Sequence, residues 1–340
     1  MTNKRRILVT GGMGFIGGHL CDSLLADGEH VTALDNLSGG SWNNVAAFSG
    51  HRNFRPVVGS IEDRALLDRL VSESDLVIHL AAALGVELIV SDPIGTMETN
   101  IQGTATLLAA TSRYRVKTML ASTSEVYGKS SRLPFRELDD IELGCTAKNR
   151  WSYAASKMID EFLGLAYYEK FGLPVVVFRL FNTVGPRQSA QYGMVIPRFV
   201  QAALEGRPLP IHGDGTQSRT FLHVLDAING IRELSLADGA LGKVFNIGST
   251  GVITIEQLAE RVLERVDKFR GASVPELFNE RVKFVPYDVA YEPGFEDMHS
   301  RCPDITRLST LTAWAPTRSL DDILDDVIEE RAAKMVHQHG

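Results

Sequence analysis

Cysteine is scarce in this 340-residue chain. Cys21, Cys145 and Cys302 stand far apart, with no metal-ligand or redox spacing among them, so a disulfide framework is excluded as the organising device. They read as small packing residues suited to a reducing compartment. Long hydrophobic runs are missing too: nothing approaches the roughly 20 apolar residues of a membrane helix. The start, MTNKRR, leads into only a brief apolar run, so no secretory leader is expected and a cytoplasmic location is. Positive charge is not in excess. Lys and Arg number 35 against 42 Asp and Glu, a net charge of −7, which leaves no electrostatic footprint for nucleic acid. The histidines are scattered, and the terminal HQHG is too short for a metal site, so no metal is expected. Repeats and low-complexity segments are absent. What remains is an ordinary globular composition, 44% hydrophobic, long enough for a full core and a second, smaller unit.

Glycine is concentrated where it is informative. The apolar run RILVTG (6–11) is followed by Gly11, Gly14 and Gly17 and then by the amphipathic HLCDSLLADG. This is a strand, a glycine turn and a helix. The first glycine allows the tight turn, the second lets backbone approach a pyrophosphate, and the third lets helix pack on strand. The helix start adds partial positive charge for phosphate. The spacing differs by one residue from the G-x-G-x-x-G fingerprint, and a glycine turn alone often only closes a βα unit. A second strand, VTALD (31–35), ends in Asp35, about 20 residues beyond the turn, where a carboxylate accepts bonds from ribose hydroxyls. A carboxylate there repels a 2′-phosphate, which favours NAD over NADP.

Further apolar runs, LVIHLA (76–81), TMLASTS (118–124) and PVVVFRL (174–180), alternate with stretches of helical period. The alternation predicts an α/β, Rossmann-type doubly wound parallel sheet. We expect residues 1–182 to form the NAD-binding region and 183–340 to form a smaller α/β substrate-binding region interleaved with it. Helices are predicted at 253–268 and 319–336. The segments 183–193, 211–221 and 286–303 read as loops that cover the sheet's carboxyl edge, where open α/β folds bind ligands.

Tyr153 precedes Lys157 by four residues, so on a helix the two share one face. A cation beside a phenol favours the phenolate, which could take a proton from an alcohol while hydride leaves the same carbon. An isolated Y-x-x-x-K is usually only a surface pair. Here it stands with Thr123 and the glycine turn.

The segments VTGGMGFIGGHL, HLAA (79–82), ASTSEVYG (121–128), SYAASK (152–157), RLFNTVGPRQ (179–188), IHGDGTQSRTFLHVLDA (211–227) and FNIG (245–248) together carry a resemblance. The chain resembles an extended short-chain dehydrogenase/reductase of the nucleotide-sugar epimerase, dehydratase and decarboxylase group, over nearly its whole length. The resemblance implies a tightly held NAD and a nucleoside-diphosphate hexose that is oxidised at C4 and usually receives its hydride back. It implies Thr123, Tyr153, Lys157 and Glu125 as catalytic. It implies that Gly11, Gly14, Phe15, Ile16, Gly17, Asp35, Asn36, Ser60, Ile61, Leu80, Ala81, Ala82, Asn100 and Ser122, with Tyr153 and Lys157, contact the cofactor. Substrate contacts are implied at Ser124, Glu125, Arg150, Asn182, Arg219 and Arg301. The apolar stretches near 94–113 and 153–171 resemble the pair that forms a four-helix homodimer interface in this group.

A C4 ketone acidifies C5–H and weakens the bond to a C5 carboxylate, so several outcomes are open. Glu125, Arg150 and Arg301 are similar to residues of UDP-glucuronate decarboxylases and UDP-apiose/xylose synthases, which makes decarboxylation of a UDP-glucuronate-type sugar the leading expectation. Glu125 would move a proton at C5 or orient water. C4 epimerisation of a UDP-sugar and 4,6-dehydration are the alternatives. A non-catalytic NAD sensor and a dehydrogenase releasing NADH are the competing classes. The loop 83–93 lacks the proline-and-tyrosine pattern of the decarboxylases, and Ser60–Ile61 replaces the group's usual Asp before an apolar residue.

Overall fold

The computed structural model describes residues 4–83, 85, 92–189, 194–271, 277–290, 296 and 298–339. Seven parallel strands form the central sheet: β1 (Arg6–Thr10), β2 (His30–Asp35), β3 (Phe54–Val58), β4 (Leu76–His79), β5 (Lys117–Thr123), β6 (Val175–Leu180) and β11 (Lys243–Ile247). Their spatial order is β11-β6-β5-β4-β1-β2-β3. The chain therefore reverses direction across the sheet between β1 and β4, where Thr10 pairs with Leu34 on one side and His79 on the other. Such a switch point opens a crevice at the carboxyl ends of the strands.

The strands are continuous apolar runs because both faces are covered. In β6, Val175 to Phe178 are buried throughout. One face packs against α1 (Phe15–Ala26) and the later helix Val224–Leu236, through Leu20, Leu24, Ile228 and Ile231. The other packs against α2 (Arg64–Ser72), α3 (Pro93–Tyr114) and α4 (Ser152–Phe171), through Leu67, Leu70, Leu107 and Leu108. Local chemistry fixes the helix starts. Asp63 caps α2 at Ala65 N and Leu66 N, and α3 opens with Asp92 as cap and Pro93 in its first turn.

A second core lies after residue 183. The strands β7 (Thr183–Val184), β8 (Leu209–His212), β9 (Ser218–Thr220), β10 (Leu222–His223), β12 (Val252–Thr254) and β13 (Val282–Val285) form short two-stranded pairings. With them go α5 (Val195–Leu204), α6 (Val224–Leu236, already placed on the sheet), α7 (Ile255–Arg270), the short α8 (Phe278–Arg281), α9 (Tyr287–Ala290) and α10 (Thr306–Thr312), and the terminal α11 (Leu320–His339). Ile196, Phe199, Leu258, Val262, Leu324 and Val327 bury the faces of α5, α7 and α11 together. The second half thus builds its own core yet also sends β11 into the large sheet.

Some boundaries differ from expectation. The helix expected at 253–268 begins at Ile255 because Thr254 and Gln257 form a capping box, and it runs to Arg270 before Gly271 turns into the left-handed region. The strand expected to reach residue 81 stops at His79, because the chain then bends over the crevice and Ala81 N donates to Thr10 Oγ1 at 3.3 Å. The decisive residues of the 83–93 loop, parts of 183–193 and most of 291–297 lie outside the described residues.

Candidate active site

The crevice is a cavity of about 1180 Å³ that runs from the glycine turn to the second core. That exceeds the upper end of about 1000 Å³ usual for one drug-sized ligand, so it has room for two. Its first end is built by backbone. Gly11 adopts φ +68°, and a Cβ there would lie 2.8 Å from Ala81 N. A Cβ on Gly17 would overlap the Gly11 carbonyl oxygen. The turn is therefore closed to any other residue at these two places. Gly14 caps α1 without a side-chain acceptor, which leaves the first N–H groups of the helix to the cavity. Asp35 lies at the same end. Its carboxylate accepts from Met13 N at 3.0 Å and Leu37 N at 2.8 Å, so it is fixed as an anion acceptor beside the turn. A cradle that only glycine fits, an uncapped helix start and an aimed carboxylate together suit a dinucleotide with free ribose hydroxyls.

The chemical end is assembled from three elements. β5 stops at Thr123, which caps a 3-10 turn, Ser124–Tyr127, by accepting from Glu125 N at 3.3 Å. Having accepted there, the Thr123 hydroxyl is free to donate, and it stands within hydrogen-bonding reach of Tyr153. Arg150 sits on a one-turn 3-10 segment immediately before α4, with its guanidinium over the Trp151 ring. Arg301 is held between two backbone anchors: Ser218 N donates to His299 O at 3.0 Å and Phe135 N donates to Cys302 O at 2.8 Å.

These groups converge on Glu125. Arg150 Nη1 donates to Glu125 Oε2 at 2.5 Å, and Arg301 Nη1 lies 3.5 Å from Oε1. Burial alone would raise the carboxyl, but Arg150 and Arg301, with Arg219 further off, outweigh it and pull it down to about 2. Glu125 is therefore a fixed anion. The expectation that it moves a proton does not suit this environment.

The tyrosine also departs from expectation. The phenol of Tyr153 is pushed up, first by burial and then by the carboxylates of Glu125 and Asp160, against the opposing pull of Thr123 and Arg150. Lys157 Nζ is itself bonded to Asp160 Oδ2 at 2.8 Å, so the cation of the pair stands against a carboxylate. Without ligands the site keeps the proton on Tyr153.

Of the residues singled out from sequence, nearly all line this one cavity, from Gly11, Phe15, Ile16 and Asn36 through Ile61 and Leu80–Ala82 to Ser122, Ser124, Asn182, Arg219 and Arg301. Two do not. Ser60 turns into a local loop, accepting from Glu62 N at 3.1 Å. Asn100 is buried behind the wall, where it accepts from Ala83 N at 2.8 Å and donates to Ser156 Oγ at 3.1 Å, so it fixes the loop rather than touching the cavity. Asn182 and Arg219 are tied to backbone, Asn182 Nδ2 to Thr220 O at 2.8 Å and Arg219 Nη1 to Ser218 O at 2.7 Å. Arg187, Arg331 and Lys334 also reach the cavity and were not foreseen. The last two sit on α11, whose sequence reads only as an amphipathic tail.

A glycine cradle and a Tyr-x-x-x-Lys helix sharing one sheet edge are the marks of an extended short-chain dehydrogenase/reductase, the class of NAD-dependent enzymes that act on nucleotide sugars. Within that class the chain belongs to the GDP-mannose 4,6 dehydratase family, which it matches over residues 8–327. It is 38% identical over 327 residues to a UDP-N-acetyl-alpha-D-glucosaminuronate decarboxylase of Bacillus cytotoxicus, covering 96% of this chain and 97% of that one. Among solved structures it is similar to the dTDP-glucose 4,6-dehydratase DesIV of Streptomyces venezuelae with NAD bound, at a TM-score of 0.86, 29% identity and 98% coverage of both chains. It is also similar to a UDP-glucuronic acid 4-epimerase of Bacillus cereus in complex with UDP-glucuronic acid and NAD, at a TM-score of 0.83, 31% identity and coverage of 97% and 99%. The chain is thus an NAD-dependent enzyme of nucleotide-sugar metabolism. Among the described residues no helix is long and apolar enough to cross a membrane.

Proposed function

We propose that the enzyme oxidises a UDP-hexuronate at C4, releases the C6 carboxylate as carbon dioxide and returns the hydride to C4. The observation that carries this reading is the convergence of Arg150 and Arg301 on Glu125 beside Thr123 and Tyr153. Two guanidiniums around one carboxylate leave a net positive charge in a buried wall, which favours an anionic sugar over a neutral one. The Bacillus cytotoxicus decarboxylase, whose named substrate is a UDP-linked N-acetylhexosaminuronate, supports the same choice.

In this reading residues 1–182 hold the cofactor and 183–340 most of the substrate. When bound, NAD supplies the hydride acceptor and a positively charged ring. Tyr153 takes the O4 proton as hydride leaves C4, and Thr123 donates to O4 to hold it in line. Lys157 orients the cofactor side of the same face. With C4 a ketone, the C5–C6 electron pair passes towards the carbonyl as carbon dioxide leaves, C5 takes a proton, and Tyr153 returns its proton to O4 as C4 is reduced. Glu125 serves as the anion that orients the two arginines. Asn182 and Arg219 stand at the diphosphate end.

The second reading is C4 epimerisation. It is favoured by the similarity to the Bacillus cereus epimerase, whose sugar keeps its carboxylate. One experiment separates them: the purified enzyme is incubated with UDP-glucuronate, its 2-acetamido counterpart and neutral UDP- and dTDP-hexoses. Product lighter by carbon dioxide supports the proposal. Unchanged mass with inverted C4, loss of water, or turnover of neutral sugars alone would overturn it.

The proposal includes a homodimer. Phe162 and Ile94 are each 65% exposed on α4 and α3, and Ile159, about one helical turn before Phe162, is exposed as well, apolar surface that a second copy would cover. Light scattering should give twice the monomer mass, and Phe162→Glu should halve it. We place the enzyme in the cytoplasm, where Cys21, Cys145 and Cys302, all unbridged, stay reduced.

A further inference from the structure

Three residues beyond Lys157, on the same side of α4, stands a carboxylate without a role in the reading above. Asp160 is 2% exposed, and Lys157, its partner at 2.8 Å, is 3% exposed. The next residue, Glu161, is fully engaged: Arg179 binds both its oxygens, at 2.8 and 2.6 Å, and Ser122 Oγ adds a third bond. Asp160 is not supported in that way. Its Oδ1 makes no hydrogen bond among the described residues, although the Thr104 hydroxyl of α3 lies close enough to favour the charged form. A buried carboxylate with so few donors is costly, and an apolar residue would pack this position better. The spacing of four and then three residues places Tyr153, Lys157 and Asp160 along one helix face.

We propose that Asp160 is a positioning residue that anchors the Lys157 ammonium and offsets its charge at the Tyr153 phenol, which raises the pH at which C4 oxidation begins. The proposal rests on the assignment of Tyr153 and Lys157 as the proton-transfer pair. Together with burial and Glu125, Asp160 keeps the proton on Tyr153 in the free enzyme and leaves activation to the positive charge that arrives with the cofactor. Every charged group packed around the pair bears on this. Glu125 enters from the turn after β5, Arg150 from the turn before α4, Arg301 from the Glu125 cluster, Glu161 with Arg179 from α4 and β6, and His79 from the end of β4. Glu125 stays ionised down to about 2 under its two arginines. His79 is kept neutral by burial and then by Lys157, down to about 3. Neither changes charge near neutrality. Burial pushes the Asp160 carboxyl up by more than Lys157 and Thr104 pull it down, so it lies above its ordinary value.

Asp160→Asn keeps the shape and an acceptor for Lys157 and removes only the charge. The NAD-loaded protein is titrated by ultraviolet difference absorbance of the phenolate, with Tyr153→Phe as blank. The Tyr153 midpoint should fall by about one pH unit, and the acid limb of the kcat profile should move the same way. Asp160→Glu, which keeps the charge, should retain the wild-type midpoint. Asp160→Ser carries the same test if the asparagine variant loses its circular dichroism. A midpoint that stays or rises in the neutral variants overturns the proposal. The titration needs no substrate, so it reads Asp160 separately from the identity of the sugar. If Tyr153→Phe retains turnover, the proton-transfer assignment fails instead.

Discussion

Arg150 and Glu125 are separated by 25 residues of chain and by 2.5 Å in space, and the pair lies in the cavity wall beside Tyr153. The contact turns a carboxylate that chemistry could use as an acid into a permanent anion. It also fixes where two guanidiniums point. A carboxylate held ionised between two guanidiniums is poorly suited to proton transfer, and the proposed function gives the cluster the task of reading substrate charge instead.

Arg301 is the member of that cluster to test first, because it comes from a separate segment and touches Glu125 more loosely, at 3.5 Å. Arg301→Ala should lower kcat/KM for a UDP-hexuronate by about 100-fold, in line with about 2–3 kcal/mol for a charge-assisted contact. NAD should remain bound, as read by absorbance of the released cofactor. An equal loss with neutral UDP-hexoses would show that Arg301 serves the diphosphate or the fold instead of the carboxylate.

Much of the fold was legible because its signals are local. The β-branched run of β6, the capping residues of α7 and the glycine turn each speak within a few residues of chain. The glycine-turn end of the cavity was legible for the same reason, since backbone builds it and a Cβ at Gly11 or Gly17 would collide with that backbone. Asn100 and Ser60 lie off the cavity because a sequence position does not say which way a side chain turns: one braces the loop from behind and the other closes its own turn. Asp160 was readable in principle, as a carboxylate at helical spacing from Lys157, but only the structure shows that both are buried. Arg331 and Lys334 gave no local signal, because a long-range fold carries α11 to the cavity.

Gly17→Ala tests the cradle. The added methyl would meet the Gly11 carbonyl and the Gly12 backbone, neither of which is a flexible side-chain end. Either the turn shifts or α1 moves off β1. The expected result is loss of at least 100-fold in NAD affinity, together with a destabilisation of about 1–3 kcal/mol typical of overpacking. Calorimetric titration with NAD and thermal melting read the two effects separately. Wild-type affinity in a folded variant would place the dinucleotide elsewhere.

His19 links acid stability to the same end of the cavity. Its Nδ1 lies 2.8 Å from Arg187 Nη2, and Arg187 has no lone pair to offer, so Nδ1 must be the unprotonated nitrogen. Nε2–H then donates to Pro186 O at 2.9 Å. Burial, reinforced by Arg187 and opposed by the Pro186 carbonyl, lowers the imidazole to about 4. The unfolded chain takes up this proton near pH 6.5 and the folded one only near pH 4. The contribution is therefore complete above about pH 6.5, is lost as pH falls towards 4, and then levels off. The full loss is on the order of 3 kcal/mol, from the size of the shift. Urea denaturation at a series of pH values checks it, with His19→Gln as the reference in which that component is gone. The difference in slope between the two proteins should be confined to the window between about pH 6.5 and 4. Parallel curves across it would mean that His19 is protonated in the folded state and that the Arg187 contact is made in some other way. Because Arg187 Nη1 also donates to Asn44 O at 2.7 Å, and both residues line the cavity with Asp35, NAD affinity should hold across that window and weaken only as pH falls through about 4, where the folded protein takes up the His19 proton.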